Sequence, residues 1–213
     1  MRPDTVVLHF TAMKTAEAAV ERLCDPAAEV SSHYLIAADG EVVTLVDETA
    51  RAWHAGAGRW FETDDVNSRS IGIELDNDGA SPFPAPLMDA LEPLLAGIAA
   101  RWSIPPARVI GHSDCAPGRK RDPGPRFDWA RLARSGLAIC ARPDPAEGPG
   151  DDAAFVAAMQ AAGYTATVCP DILLGALRLR HRPWTAGARD AADMGLALAL
   201  ARLGSVDRGT RSA

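Results

Sequence analysis

Apolar positions in this chain switch between two periods. Thr5-Val6-Val7-Leu8-His9-Phe10-Thr11, Ser70-Ile71-Gly72-Ile73-Glu74-Leu75 and Val109-Ile110 are short apolar runs with little alternation, the pattern of strands buried on both faces. Elsewhere the period lengthens. Ala16, Ala19, Val20 and Leu23 share a helical face behind Thr15, a fitting N-cap, and Asp25-Pro26 stops that helix. Leu87, Leu91, Leu94, Leu95 and Ile98 recur at helical spacing over 86–102, with Pro93 inside, which predicts a kink or break near residues 89–92. Two β-rich runs, 33–37 and 41–46, flank Ala38-Asp39-Gly40 and predict a hairpin. Asp128 is placed to cap a short helix ending at Gly136.

Composition then divides the chain. Pro and Gly fill five of the eight positions 143–150, so a domain over 1–140, a linker over 141–150 and a small unit over 151–213 are predicted. In the last, Asp151 caps a helix bearing Phe155, Val156 and Met159, and 172–179 and 190–203 supply two more. Three short helices are marginal alone and are expected to lean on the first domain. A net charge of −6 and a pI near 5.3 argue against nucleic acid or an anionic membrane surface as partner. No stretch approaches the ~18 apolar residues of a membrane span. Met1-Arg2-Pro3-Asp4 is followed by too few uncharged residues for a secretory leader, and Cys24, Cys115, Cys140 and Cys169 are scattered like reduced thiols, so a cytoplasmic setting is expected.

Candidate chemistry sits at strand ends. His9 closes the first run, and His112 follows Val109-Ile110-Gly111 directly. The next loop has its path restricted by Pro117, Gly118, Pro123, Gly124 and Pro125, and it carries Asp114, Cys115, Lys120 and Asp122. A catalytic zinc ion commonly takes three protein ligands and leaves one position open, so His9, His112 and one loop residue complete such a set. Asp122 is the preferred third ligand because Asp114 and Cys115 precede the Pro117-Gly118 turn; both stay in competition, and a loop-capping role is the alternative for Asp122. Glu74 ends a buried strand, where a carboxylate is costly unless paired or used. It either pairs with Arg69 or Arg108 or, beside two strand-end histidines, serves as general base. The segment 51–61, with Trp53, His54 and Trp60, suits the wall of a substrate cleft, and Trp53, His54 and Asn77 are expected to meet the substrate. His33 is expected to pack structurally.

Five blocks, Val7-Leu8-His9-Phe10-Thr11-Ala12, Ser31-Ser32-His33-Tyr34-Leu35-Ile36, Trp53-His54-Ala55-Gly56, Ser70-Ile71-Gly72-Ile73-Glu74-Leu75 and Gly111-His112-Ser113 through Lys120-Arg121-Asp122-Pro123-Gly124, occur in the order seen in type 2 N-acetylmuramoyl-L-alanine amidases. Residues 4–137 resemble that family. The resemblance implies an α/β fold with a central mixed β-sheet flanked by helices, followed by the small three-helix C-terminal domain. It implies zinc (Zn2+) held by His9, His112 and Asp122, Glu74 as catalytic carboxylate and Lys120 as transition-state stabiliser. The implied reaction is hydrolysis of the amide between the lactyl group of (anhydro)muramic acid and the L-alanine of the peptide stem. Arg119 and Arg121 on either side leave Lys120 an alternative life as a solvated charge. Met159-Gln160, Gly163-Tyr164 and the Arg-rich stretch 177–183 resemble a peptidoglycan-binding module, a plain helical cap being the alternative. The expected partner is a muropeptide or peptidoglycan, the chain a monomer or weak dimer, and the role cytoplasmic muropeptide recycling. An exported wall amidase and a non-catalytic peptidoglycan-binding protein are the alternatives.

Overall fold

The computed structural model describes residues 1–209, with side chains described through Gly204. Strands β1 (Thr5–Phe10), β2 (Tyr34–Ile36), β3 (Val42–Thr44), β4 (Ser70–Leu75) and β5 (Val109–Gly111) form one sheet in the order β3-β2-β4-β1-β5. β1 runs parallel to β4 and β5, and β2 parallel to β4, whereas the β2–β3 hairpin is antiparallel. The sheet is therefore mixed, as expected.

Strand alternation gives this sheet two different faces. Val6 and Leu8 of β1, with Ile71, Ile73 and Leu75 of β4, pack against Leu87, Leu91, Leu95 and Ile98 of the helix α2, here counted after α1 (Ala16–Cys24) and spanning Ala85–Trp102. Each such buried side chain stabilises the fold by about 1.5–3 kcal/mol. Val7 and Ile110 turn the other way, into a cluster with Trp60 and Phe61 and with three C-terminal helices. Those helices follow the single turn α3 (His112–Cys115) and α4 (Trp129–Arg134), and are α5 (Asp152–Ala161), α6 (Pro170–His181) and α7 (Ala191–Gly209). They lean on the sheet through backbone as well. Phe61 N donates to Gly163 O at 2.9 Å, and Thr165 Oγ1 donates to Phe61 O at 2.6 Å.

The local signals located their elements closely. Thr15, Asp128 and Asp151 cap α1, α4 and α5 by accepting from Ala18 N, Arg131 N and Ala154 N. Of the kink or break expected near residues 89–92, the break does not occur, because α2 is one helix through Pro93. Pro93 faces solvent, where water can take the carbonyl bond its ring deletes. The Pro/Gly-rich stretch 141–150 runs along α7, with Asp144 N donating to Gly195 O at 3.0 Å and Arg202 paired to Asp144 at 3.0 Å.

One buried group in this packing makes a test. Both ring nitrogens of His181 are buried without a partner, and burial together with the adjacent Arg180 charge pulls its pKa down from 6.5 to about 3. Between those values the unfolded chain binds a proton that the folded chain refuses, so stability is present above about pH 6.5 and is lost as pH falls toward 3. His181→Phe is expected to raise the melting temperature and to shrink the loss of unfolding free energy between neutral pH and pH ~4 by about 3 kcal/mol, measured by chemical denaturation. An unchanged pH slope would refute this source of acid lability.

Candidate active site

The sheet register builds a row of chemistry. His9 is paired with Glu74 across β1 and β4, and Leu8 with Gly111 across β1 and β5, so His112 emerges beside His9. Glu74, His9 and His112 thus lie at the carboxyl ends of three neighbouring parallel strands, where open α/β sheets place their ligand sites. The face they share is also that of Val7 and Ile110; the C-terminal helices cover those two residues and leave the strand ends open. A cleft of about 260 Å³ lies there, lined by His9, Glu74, His112, Asp122, Trp53 and Lys120 among others.

Three donor atoms converge at its floor. His9 Nδ1 lies 3.0 Å from His112 Nδ1 and 2.8 Å from an oxygen of Asp122, which is 2.9 Å from His112 Nδ1. The outer nitrogens show where the ring protons are. Ser70 Oγ donates to Val66 O at 2.6 Å, so it accepts from His54 Nε2 at 3.2 Å; His54 Nδ1 is then an acceptor, and His9 Nε2 must donate to it at 3.1 Å. His112 Nε2 likewise donates to Ala55 O at 2.8 Å. Burial foremost, with His112 close by, pulls the His9 pKa down to about 4, so His9 is neutral at neutral pH and its single proton is on Nε2. The Asp122 carboxyl is held well below the usual range in spite of its burial, so it is an anion. Two lone pairs and an anion therefore face one another with no proton between them, a set that a cation satisfies. His9, His112 and Asp122 can hold a metal ion.

Glu74 borders this set and does not belong to it. Arg69 pairs with Asp4, and Arg108 lies 3.4 Å from Asp4, so neither candidate arginine takes the Glu74 carboxylate. Burial first, and the Asp122 charge second, push its pKa up to about 8, against a smaller opposing pull from Lys120. Lys120 itself is exposed on the cleft lip. Trp53 is also at the cleft, 51% exposed, while His54 is buried behind His9 and steers its ring. Asn77 is held by its own loop. Its side chain accepts from Gly79 N at 2.8 Å and donates to Pro82 O at 3.4 Å, so it is spent on closing its own loop and does not line the cleft.

The competitors for the third donor are placed elsewhere. Cys115 is fully buried, its Sγ donates to His112 O at 3.4 Å, and burial pushes its thiol pKa up. Asp114 accepts from Gly111 N at 2.8 Å, Tyr164 Oη at 2.7 Å and Arg180 Nη1 at 2.6 Å. Tyr164 and the Arg-rich stretch that holds Arg180 stand out in the sequence only for their resemblance to a peptidoglycan-binding module, yet the two side chains tie α6 and the end of α5 to the turn that carries His112. The tie itself had one visible signal, an arginine inside the apolar face of α6. His33, as expected, packs structurally, its Nδ1 accepting from Gly72 N at 3.0 Å.

Gly72 makes the His54 role testable. A Cβ there would come within 2.4 Å of the His54 ring, so Gly72→Ala must displace the ring and break its bond to His9. The expected result is zinc binding about 10–100-fold weaker in a chelator competition, the usual effect of losing such a supporting partner. Unchanged zinc affinity in a folded variant would remove His54 from the arrangement.

Fold and site together define a class, an α/β protein with a metal-donor cluster and a separate carboxylate at the carboxyl ends of its parallel strands. Residues 1–125 match the family model described as N-acetylmuramoyl-L-alanine amidase, and the chain belongs to that family. It is 40% identical over 152 residues to the N-acetylmuramoyl-L-alanine amidase AmiD of Escherichia coli, covering 64% of this chain and 54% of that one. It is 40% identical over 103 residues to the 1,6-anhydro-N-acetylmuramyl-L-alanine amidase AmpD of Enterobacter cloacae, covering 48% and 55%. The alignments thus span about half the length of these curated relatives. Among solved structures, that of E. coli AmiD in complex with anhydro-N-acetylmuramic acid-L-Ala-D-γ-Glu-L-Lys superposes with a TM-score of 0.85 at 32% identity, covering 95% of this chain and 90% of that one. AmpDh3 of Pseudomonas aeruginosa superposes at 0.84 with 31% identity, covering 95% and 92%.

Proposed function

We propose that this chain is a zinc-dependent N-acetylmuramoyl-L-alanine amidase that hydrolyses the amide between the lactyl carbonyl of (anhydro)muramic acid and L-alanine. The observation that carries the reading is the convergence of three proton-free donors beside a carboxylate that has a raised pKa and no ion-pair partner among the described residues. The names of the relatives and the muropeptide bound in the AmiD structure support it.

His9, His112 and Asp122 would hold the zinc ion, which when bound supplies Lewis acidity toward water and the amide carbonyl. The chain's own residues do the rest. Glu74 takes a proton from the attacking water and hands it to the departing L-alanine nitrogen. Lys120, on the cleft lip, meets the charge that develops on the carbonyl oxygen. His54 keeps the His9 proton on the outer nitrogen, and Trp53 offers an apolar wall to the substrate.

The setting proposed is the cytoplasm, with soluble muropeptides as substrates. Cys24, Cys140 and Cys169 are exposed free thiols, which suit a reducing compartment. Among the described residues no helix is long and apolar enough to cross a membrane. The test is mass spectrometry of an anhydromuramyl tripeptide incubated with the protein. Peptide release that stops with chelator and returns with zinc is expected, and an intact substrate in the presence of zinc would overturn the reading.

A further inference from the structure

The C-terminal helices reach the turn that carries His112 at one buried carboxylate. Asp114 is fully buried and accepts from Gly111 N, from Tyr164 Oη and, at 2.6 Å, from Arg180 Nη1. Arg180 does more than neutralise it. Its other terminal nitrogen donates to Val109 O at 3.2 Å and to Ile139 O at 3.0 Å, and its guanidinium lies 3.9 Å from the centroid of the Trp129 ring, a stacking contact that fixes its plane. One rigid group of α6 therefore holds β5 at its first residue, Val109, and the turn at Asp114. His112 stands between the two points of attachment.

The hold extends to the third donor. Ser113 N, next to His112, donates to Asp122 O at 3.0 Å, so a shift of the turn is passed to the backbone of Asp122. In the loop between the two donors, Gly118 packs on Ile172 so closely that a Cβ there would come within 2.9 Å of the Ile172 side chain. α6 thus meets the donor-bearing segment twice, with Ile172 of its first turn and Arg180 of its last.

Stability is a poor reason for such an arrangement. The cost of taking two charges out of water offsets most of what their attraction returns, and an apolar pair of similar volume would hold a helix in place as well. What an apolar pair lacks is direction, since bonds from one planar fork fix angles as well as distances. Arg178 gives the contrast. It is buried on the same helix and paired to Asp193 at 2.6 Å, but its other bonds go to Gly187 O and Ala188 O, within the C-terminal helices and their connections.

We propose that Arg180 and Tyr164 are positioning residues of the metal centre, and that the C-terminal helices serve the reaction by holding His112 and Asp122 at the spacing a bound ion requires. The inference rests on the reading of His9, His112 and Asp122 as zinc ligands, and not on which amide is cut.

Zinc affinity by chelator competition and the visible absorption of the cobalt(II)-loaded protein report donor geometry without turnover. Arg180→Lys keeps a charge beside Asp114 but sets one ammonium where the fork reached Asp114, Val109 O and Ile139 O. Zinc binding is expected to weaken about tenfold, the low end for a lost supporting partner, and the cobalt spectrum to change. Tyr164→Phe removes one hydroxyl and keeps the ring; it is expected to weaken zinc severalfold with circular dichroism unchanged. Arg178→Lys is the control, expected to lower the melting temperature while zinc affinity and cobalt spectrum stay as in wild type. Wild-type zinc affinity in folded Arg180→Lys and Tyr164→Phe would overturn the proposal. Equal weakening in Arg178→Lys would do the same, since the effect would then be one of general stability. A wild-type chain that binds no zinc would overturn the ligand reading and this inference with it. Zinc binding that responds to Arg180→Lys, with no cleavage of the muropeptide by wild type, would overturn the amidase reading and leave the positioning role standing.

Discussion

Glu74→Gln is expected to keep one equivalent of zinc and to lose about 10²–10⁴-fold in kcat, the range that a general acid–base group supplies. The substitution keeps the shape of the side chain and removes only its ability to carry a proton. No hydrogen bond among the described residues holds the Glu74 carboxylate, and both nearby arginines are occupied by Asp4, so no packing or pairing is lost with it. A second effect should accompany the first. The folded pKa is raised from 4.5 to about 8, so the folded chain retains a proton that the unfolded chain releases, and Glu74 destabilises the metal-free protein increasingly as pH rises from about 4.5 to 8. Metal-free Glu74→Gln should therefore melt higher than wild type at pH ~8 and nearly equal to it at pH ~4.5, the trade of stability for activity common at reactive sites. Zinc content by mass spectrometry, kcat on a muropeptide and melting at the two pH values check the three statements together. Loss of zinc equal to that of a ligand variant would put Glu74 in the donor set and undo the assignment.

Much of this arrangement was visible in the sequence because it is local. A β-branched run that stops at His9, an apolar run that stops at Glu74, and Thr15, Asp128 and Asp151 ahead of helical periods are each decided within a few residues. Which strand ends are neighbours is not local. The row Glu74–His9–His112 exists because β1 is inserted between β4 and β5, and no periodicity encodes that order. Partner choice is equally remote. Asp114 and Asp122 have the same chemistry and lie in the same loop, and what separates them is Arg180, 66 residues beyond Asp114, together with Tyr164, 50 residues beyond it. The bonds of Asn77 are local but were not legible, since a short polar side chain at the start of a Gly- and Ser-containing loop satisfies its own backbone. Pro93 was over-weighted because a helix interior and a solvent-facing helix surface look alike until the buried side is known.

His112→Ala is the substitution expected to remove metal and turnover together. Its Nδ1 is one of three converging donors, and the substitution takes that donor away with nothing among the described residues placed to replace it. The nearest alternative donors are already spent: Asp114 on Arg180 and Tyr164, and Cys115 buried with its thiol pKa pushed up, far from the thiolate a metal requires. Two donors left facing each other bind zinc poorly, and the affinity is expected to fall by more than the roughly 10–100-fold typical of a lost supporting partner. The variant should still fold, because the braces on the turn run through Asp114 and Gly111 rather than through the imidazole. Cys115→Ala is the matching control, expected to keep both zinc and turnover while costing some stability for the buried thiol. If Cys115→Ala lost zinc and His112→Ala kept it, the donor set would have to be redrawn around the thiol, and the proton assignment inferred for His9 and His54 would fall with it.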